Sequence, residues 1–227
     1  MTLKISDNDN TIKNEILDGQ FSNNMSDHIL YLPSFIDEDI CKDVINSLDN
    51  LDRDDSAPYT DGLLNDDADT YFDPDIKCID KVRDKIFIDG LKEYASKVRS
   101  FNWSYYDTKS FHCSEMIIRR YNEGSEFKYH HDDIIGEIFP HWFLRRQNIL
   151  TCNFYFSDAR DYEGGDLKFT CSDKKYHTSM GDIIIFPSNW MFYHEVQKIT
   201  KGKRYSGTIW LYYGSSKRMP NAKSKDW

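Results

Sequence analysis

The stretch RYNEGSEFKYHHDD, residues 120–133, places a turn signal, Glu123-Gly124, directly ahead of a β-rich run, EFKYH. On a strand, residues two apart point to the same face, so the imidazole of His130 and the carboxylate of Asp132 converge on one point inside a sheet. His131 and Asp133 repeat this spacing in the neighbouring register. Period-2 geometry cannot choose between the two pairs, because a one-residue slip turns the strand over.

Around this stretch the chain has the character of a mostly β (α+β) protein. From about Phe111 short β-rich runs follow one another: CSEMIIRRY, EFKYH, NILTCNFYF, DLKFT, KKYHT, DIIIFP, FYHEV and RYSGTIWLYY. Turn signals separate them, notably Glu163-Gly164-Gly165-Asp166 and Met180-Gly181-Asp182. Many short strands at this spacing argue for a sandwich or jelly roll. Upstream, a Ser34 or Asp37 cap opens a helix with Ile40, Val44, Ile45 and Leu48 on one stripe. A second helix is predicted from about Ile79 to Val98, where Val82, Ile86, Leu91 and Tyr94 recur at helical spacing. Both helices would pack on the outer face of one sheet. Residues 1–27 read as a loose polar arm, 52–76 as a long acidic loop and 216–227 as a polar tail. The expected domain is 28–215, with helical support over 28–110 and the jelly-roll core over 111–215.

With 227 residues, 39% hydrophobic and 15% aromatic, the chain can bury one sizeable core and is not a disordered segment. Its 38 acids against 29 bases give a net charge of −9. That balance counts against a nucleic-acid partner, which normally meets a basic face. Five scattered cysteines without a CxxC pair fit neither a disulfide framework nor a zinc knuckle and point to a reducing compartment. The start, MTLKISDNDNTIKN, lacks the pattern of a signal peptide, and apolar runs such as Ile183–Pro187 are too short to span a bilayer. A cytoplasmic protein without a membrane partner is expected. The oligomeric state is left open.

One more neutral imidazole beside His130 and Asp132 would complete the two-His-one-carboxylate face used for non-haem iron(II). His194, in FPSNWMFYHEV, is the natural candidate. Such a face leaves three of six positions open, enough for a chelating 2-oxo acid and oxygen. The far carboxylate of that co-substrate then needs a partner. Arg204, ten residues after His194, offers a guanidinium suited to bidentate carboxylate binding, and Ser206 shares its strand face.

These residues resemble the prolyl 4-hydroxylase branch of the 2-oxoglutarate/iron(II) dioxygenases. The likeness runs through Y-x-x-G-x-x-F-x-x-H-x-D, from Tyr121, Gly124 and Phe127 to His130 and Asp132. It continues through TCNFYF, EGGDLKF, GDIIIFPS and H-x9-R-x-S, covering roughly residues 111–213. The resemblance implies a double-stranded β-helix (jelly roll, cupin-like) with N-terminal helices on one sheet. It implies iron(II) bound by His130, Asp132 and His194, because the family spacing from Gly124 favours that register over His131 and Asp133. It implies 2-oxoglutarate held by Arg204 and Ser206, with Tyr155 on the distal carboxylate and Tyr121 lining the same pocket. Oxygen and ascorbate would be needed for turnover. The implied reaction is hydroxylation of a substrate C–H, foremost a prolyl residue of a peptide or protein, with release of succinate and carbon dioxide.

Other readings carry different consequences. The substrate could be a free amino acid, another side chain or a small metabolite. A jelly-roll metal-binding or sensing module without turnover would keep the three ligands, but it has no need for a dicarboxylate anchor. A nucleic-acid demethylating oxygenase is opposed by the acidic balance. Asn153 shares a strand face with Tyr155, whereas Trp190 and Trp210 read as packing residues, and His28, His112, His141 and His177 as structural or surface groups. The loops 52–76 and 134–146, the latter with Phe139, Trp142 and Phe143, could shape substrate choice.

Overall fold

The run Ile183-Ile184-Ile185-Phe186 divides its side chains between two separate cores. Ile183 and Ile185 belong to one buried cluster, Ile184 and Phe186 to another. Period-2 geometry requires this of a strand covered on both faces. The computed structural model describes residues 24–51, 68–72, 74–98, 101, 111–133 and 147–213. Its strands are β1 (Leu30–Leu32), β2 (Ala68–Phe72), β3 (Phe111–Cys113), β4 (Ile117–Tyr121), β5 (Phe127–His130), β6 (Gln147–Tyr155), β7 (Tyr162–Gly164), β8 (Leu167–Phe169), β9 (Lys175–Tyr176), β10 (Ile183–Pro187), β11 (His194–Val196), β12 (Ile199–Gly202) and β13 (Arg204–Tyr213).

The larger sheet runs β1-β10-β6-β13-β4-β2, with β3 also paired to β13. The smaller runs β5-β11-β8-β9, and β12 with β7 forms a ribbon. The pairings in both sheets are antiparallel. One cluster takes Tyr121, Tyr155 and Phe186 from the larger sheet and Phe127, Phe169 and Val196 from the smaller, so it fills the space between them. The other cluster joins the far face of the larger sheet, through Cys152, Phe154, Ile209 and Leu211, to the helices. The architecture is a double-stranded β-helix with helices packed on one sheet.

Helix α1 (Glu38–Asp49) starts at Asp37, which makes no side-chain capping bond. Ser34 instead sits in the preceding turn with φ 49. The buried stripe is Cys41, Val44 and Leu48, with Ile40 and Ile45 flanking it. The second predicted helix is α2 (Ile79–Lys85), a π turn (Ile86–Gly90) and α3 (Leu91–Lys97) in succession. The wider π turn brings Ile86, Phe87 and Gly90 all inward. A Cβ at Gly90 would meet Ile185 Cδ1 at 3.4 Å, so this turn lies close against β10.

Three boundaries differ from the sequence expectation. The acidic loop 52–76 contains strand β2, whose Asp69, Thr70 and Tyr71 are buried. Its Asp69 accepts from Arg120 Nε at 2.8 Å on the adjacent strand, and that cross-strand partner is what lets an acidic segment enter a sheet. The region expected to give only helical support also contributes β1, so both β1 and β2 extend the larger sheet. Within the expected arm, Met25–His28 forms a 3-10 turn capped by Asn24. Residues 1–23, 52–67, 134–146 (with Phe139, Trp142 and Phe143) and the tail 216–227 lie outside the described residues.

Asp182 fastens β1 to the jelly roll. Its carboxylate accepts from Tyr31 Oη at 2.6 Å, Ser34 N at 3.0 Å and Ser179 N at 2.7 Å. All five cysteines are free. Among the described residues no helix is long and apolar enough to cross a membrane.

Candidate functional site

Strand β11 lies between β5 and β8, and the ladder sets His194 opposite His130 on one side and Phe169 on the other. The two imidazole centroids are 4.3 Å apart. Each ring is oriented the same way. His130 Nδ1 lies 2.7 Å from the Lys128 carbonyl, and His194 Nδ1 lies 3.0 Å from the Phe192 carbonyl. A carbonyl only accepts, so each Nδ1 carries a proton, and Nε2 is the atom each ring can offer to a metal.

Asp132 completes the group in a way that strand alternation alone does not explain. β5 ends at His130, and Asp132 lies beyond it in a bend. The expectation of two residues on one strand face is corrected to one on the strand and one just past its end. Asp132 Oδ1 is 3.7 Å from His130 Nε2, and Oδ2 is 3.7 Å from His194 Nε2. One candidate ligand atom from each of the three residues lies within 4.8 Å of the others.

Burial alone would raise the Asp132 carboxyl, but the two imidazoles and the Thr151 hydrogen bond outweigh it and hold the group below the usual carboxylate range. The Trp210 indole adds a smaller contribution in the same direction, although its N–H makes no hydrogen bond of normal geometry. Burial, with His194 beside it, pushes His130 down to about 4, so the ring is neutral near pH 7. An acid held ionised and flanked by two imidazoles is the donor set of a divalent transition-metal site, and it fits iron(II).

The same cavity is walled on the other side by β4, β6 and β13. Tyr121, Tyr155, Arg204 and Ser206 all line it, as does Asn153. Arg204 is 2% exposed, and its Cζ lies 5.2 Å from the Tyr121 ring and 4.9 Å from the Tyr155 ring. Its Nε and Nη1 have no hydrogen-bond partner, nor does Tyr155 Oη. Burial drives the Tyr155 phenol well above its ordinary value, so this hydroxyl is a donor. A buried guanidinium with unmet N–H groups is costly until an anion reaches it. With a metal-type donor set in the same cavity, the arrangement suits a ligand that chelates at one end and carries a carboxylate at the other.

His131 and Asp133 do not join the site. The His131 ring packs on Tyr193 at 5.0 Å, and its Nδ1 receives the Asp133 N–H. His28 packs edge-on against Phe192, and His177 bonds Asp166 and the Ala159 carbonyl. Of the two tryptophans read as packing residues, Trp190 is exposed and Trp210 both packs and borders the cavity.

Two lining residues, Arg119 and Thr208, and one that bonds Asp132, Thr151, are missing from the sequence reading. Thr151 shares the parity of Asn153 and Tyr155 on β6, Arg119 that of Tyr121 on β4, and Thr208 that of Ser206 on β13. Extending each alternation by one step would have found them. Thr208 Oγ1 donates to Asn153 Oδ1 at 2.8 Å, and Arg119 Cζ lies 5.1 Å from the Phe127 ring. Asn148, which reaches the Asp132 carbonyl, carried no such signal. A register shift between Leu211 and Tyr212, opposite β6, changes the parity there.

Residues 116–212 match the family model described as the 2OG-Fe(II) oxygenase superfamily. A PKHD-type hydroxylase of Stutzerimonas stutzeri (strain A1501) is 30% identical over 93 residues, 40% of this chain and 40% of that protein. The match thus spans about two fifths of the length of the curated relatives. A prolyl-4-hydroxylase from Pseudomonas putida has a similar fold, with TM-score 0.60 and 14% identity over 84% of this chain and 95% of that one. A Trichoplax adhaerens prolyl hydroxylase, solved with a hypoxia inducible factor peptide fragment, gives TM-score 0.59 and 15% identity over 88% and 91%.

Proposed function

We propose, from a chain whose residues 116–212 match the 2OG-Fe(II) oxygenase superfamily model, that this protein is a 2-oxoglutarate- and iron(II)-dependent dioxygenase hydroxylating a prolyl residue of a peptide or protein. The observation that carries the reading is Arg204. A buried guanidinium with unmet donors shares one cavity with a His-Asp-His group. A metal-binding module without turnover gives no reason for such a cation.

In this reading His130, Asp132 and His194 hold iron(II), and Arg204, Tyr155, Ser206 and Tyr121 receive the far end of 2-oxoglutarate. Iron(II) with 2-oxoglutarate and oxygen supplies oxidative decarboxylation to succinate and carbon dioxide, coupled to oxidation of a substrate C–H bond, with ascorbate as the supporting reductant. The chain's own part is binding and orientation. The two backbone carbonyls fix both imidazole rings. The guanidinium fork sets the direction of the dicarboxylate. Phe127, Phe169 and Phe186 surround the imidazoles with apolar walls that exclude water.

Hydroxylation is supported by the names of the relatives, and the prolyl peptide substrate by the prolyl-4-hydroxylase neighbour and the peptide bound to the Trichoplax one. We take residues 28–215 as the catalytic domain and, on its free thiols, assign it to the cytoplasm. The test is succinate formation with iron(II), ascorbate and 2-oxoglutarate, against proline-containing peptides and free amino acids. Peptide-dependent succinate with a hydroxyprolyl product is the expected result. Succinate that responds only to free amino acids overturns the substrate, and no stimulated turnover with any member of the panel overturns the activity.

A further inference from the structure

Asp132 is the one member of the metal-type group that no β ladder holds. It follows the last residue of β5, and β5 is the outer strand of the smaller sheet. Its position is set from the opposite sheet. The Asp132 N–H donates to the Ser188 carbonyl at 3.0 Å, and its own carbonyl accepts from Asn148 Nδ2 at 2.8 Å. Its Oδ2 accepts from Thr151 Oγ1 at 2.8 Å, and Thr151 Oγ1 lies 2.9 Å from Ser188 Oγ. Thr151 and Ser188 are both buried, so no bulk water competes for these bonds.

The proton order in this chain is determined. An ionised carboxylate can only accept, so the single Thr151 proton goes to Asp132. The bond between the two hydroxyls must then use the Ser188 proton. The chain runs from Ser188 to Thr151 to Asp132: Ser188 Oγ donates at its head, and Thr151 Oγ1 accepts that proton's bond and donates its own.

We propose that Thr151, backed by Ser188, is a positioning residue that fixes the Asp132 carboxylate against the two imidazoles and thereby sets divalent-metal affinity. The inference rests on the metal-binding role assigned above to His130, Asp132 and His194, but not on 2-oxoglutarate or on turnover. Groups that orient a ligand from outside typically change metal affinity by about 10–100-fold when removed.

The experiment is titration of the full-length, metal-free protein with cobalt(II), without 2-oxoglutarate, following heat and the visible ligand-field spectrum. Thr151→Val keeps the branched shape and removes the hydroxyl, whereas Thr151→Ser keeps the hydroxyl. Thr151→Val is expected to weaken cobalt(II) binding by about 10-fold or more, and Thr151→Ser to stay near wild type. Ser188→Ala should fall between them, since it leaves the Thr151 proton in place. Wild-type affinity in Thr151→Val, or a Thr151→Ser variant as weak as Thr151→Val, overturns the proposal. If Thr151→Val does not fold, equal affinity of Ser188→Ala and wild type overturns it instead. Wild-type protein that binds no cobalt(II) overturns it as well. Wild-type protein that binds cobalt(II) but forms no succinate defeats the oxygenase reading and leaves this one standing.

Discussion

His130 and His194 stand opposite each other in the β5–β11 ladder, and each donates its Nδ1 proton to the carbonyl two residues before it, Lys128 and Phe192. The shared arrangement turns both Nε2 atoms toward Asp132, at 3.7 Å each. A ladder pair prepared in this way holds its geometry without a metal.

The first prediction concerns register. His130→Ala, His194→Ala and Asp132→Ala should each lower iron(II) affinity by more than about 100-fold, beyond what loss of an outer group causes. His131→Ala should leave it unchanged, because the His131 ring packs on Tyr193 away from the cavity. Anaerobic iron(II) titration of the four variants decides the matter. Loss of iron in His131→Ala with retention in His130→Ala would reverse the assignment.

Arg204 carries the second prediction. Arg204→Ala removes a charge-assisted pair worth about 1.5–3 kcal/mol, or roughly 10–100-fold in apparent 2-oxoglutarate affinity. Tyr155→Phe removes a single hydroxyl donor and should cost about 1 kcal/mol. Iron(II) affinity measured without 2-oxoglutarate should not change in either, since neither side chain reaches the ligand group. The quantity to compare is KM for 2-oxoglutarate at saturating iron. An unaltered value in Arg204→Ala means that the guanidinium serves some other anion.

Much of this site could be read from local alternation. His130, Tyr155, Arg204 and Ser206 reach the cavity through strand parity and short spacings, which a sequence displays directly. Strand alternation accounts for Asp132 only in part. The spacing points to it, yet the bonds that place it come from Thr151 and Asn148 on β6 and from Ser188 just past β10. Strand β2 was hidden for a similar reason. Asp69 looks like a loop residue until Arg120 is brought beside it, and pairing between segments far apart in sequence leaves no local trace. The π turn at Ile86–Gly90 was equally hidden, because hydrophobic spacing near 3.6 tolerates one wide turn without losing its pattern.

Gly207 supports a third prediction. It lies in β13 between the site residues Ser206 and Thr208, on the face toward the helices, with the Phe154 ring seated over it. A Cβ built there would run into Phe154 Cε2. Gly207→Ala should therefore overpack this core by about 1–3 kcal/mol. The urea midpoint should fall, and combination with Phe154→Leu should recover part of the loss. Equal stability of Gly207→Ala and wild type would mean that Phe154 shifts freely, contrary to its full burial.

The last prediction tests how the N-terminal strand is secured. Asp182 is buried, and three donors converge on it: Tyr31 Oη, the Ser34 N–H and the Ser179 N–H. Burial, followed by the bond to Asp182, raises the Tyr31 phenol far above its ordinary value, so it remains a donor at neutral and moderately alkaline pH. An asparagine at 182 would keep the shape but replace one acceptor oxygen with an NH2 group. Tyr31 can rotate its hydroxyl away, but the two backbone N–H groups cannot turn. Asp182→Asn should therefore leave a buried N–H facing another donor and cost about 1–3 kcal/mol. Tyr31→Phe, which removes a donor and leaves the carboxylate its two backbone partners, should cost less. Hydrogen exchange gives the sharper readout: amides of β1 and of its neighbour β10 should lose protection in Asp182→Asn before those of β6 and β13 do. Uniform loss across the larger sheet would show instead that β1 is held by its ladder and apolar contacts, with the carboxylate adding little.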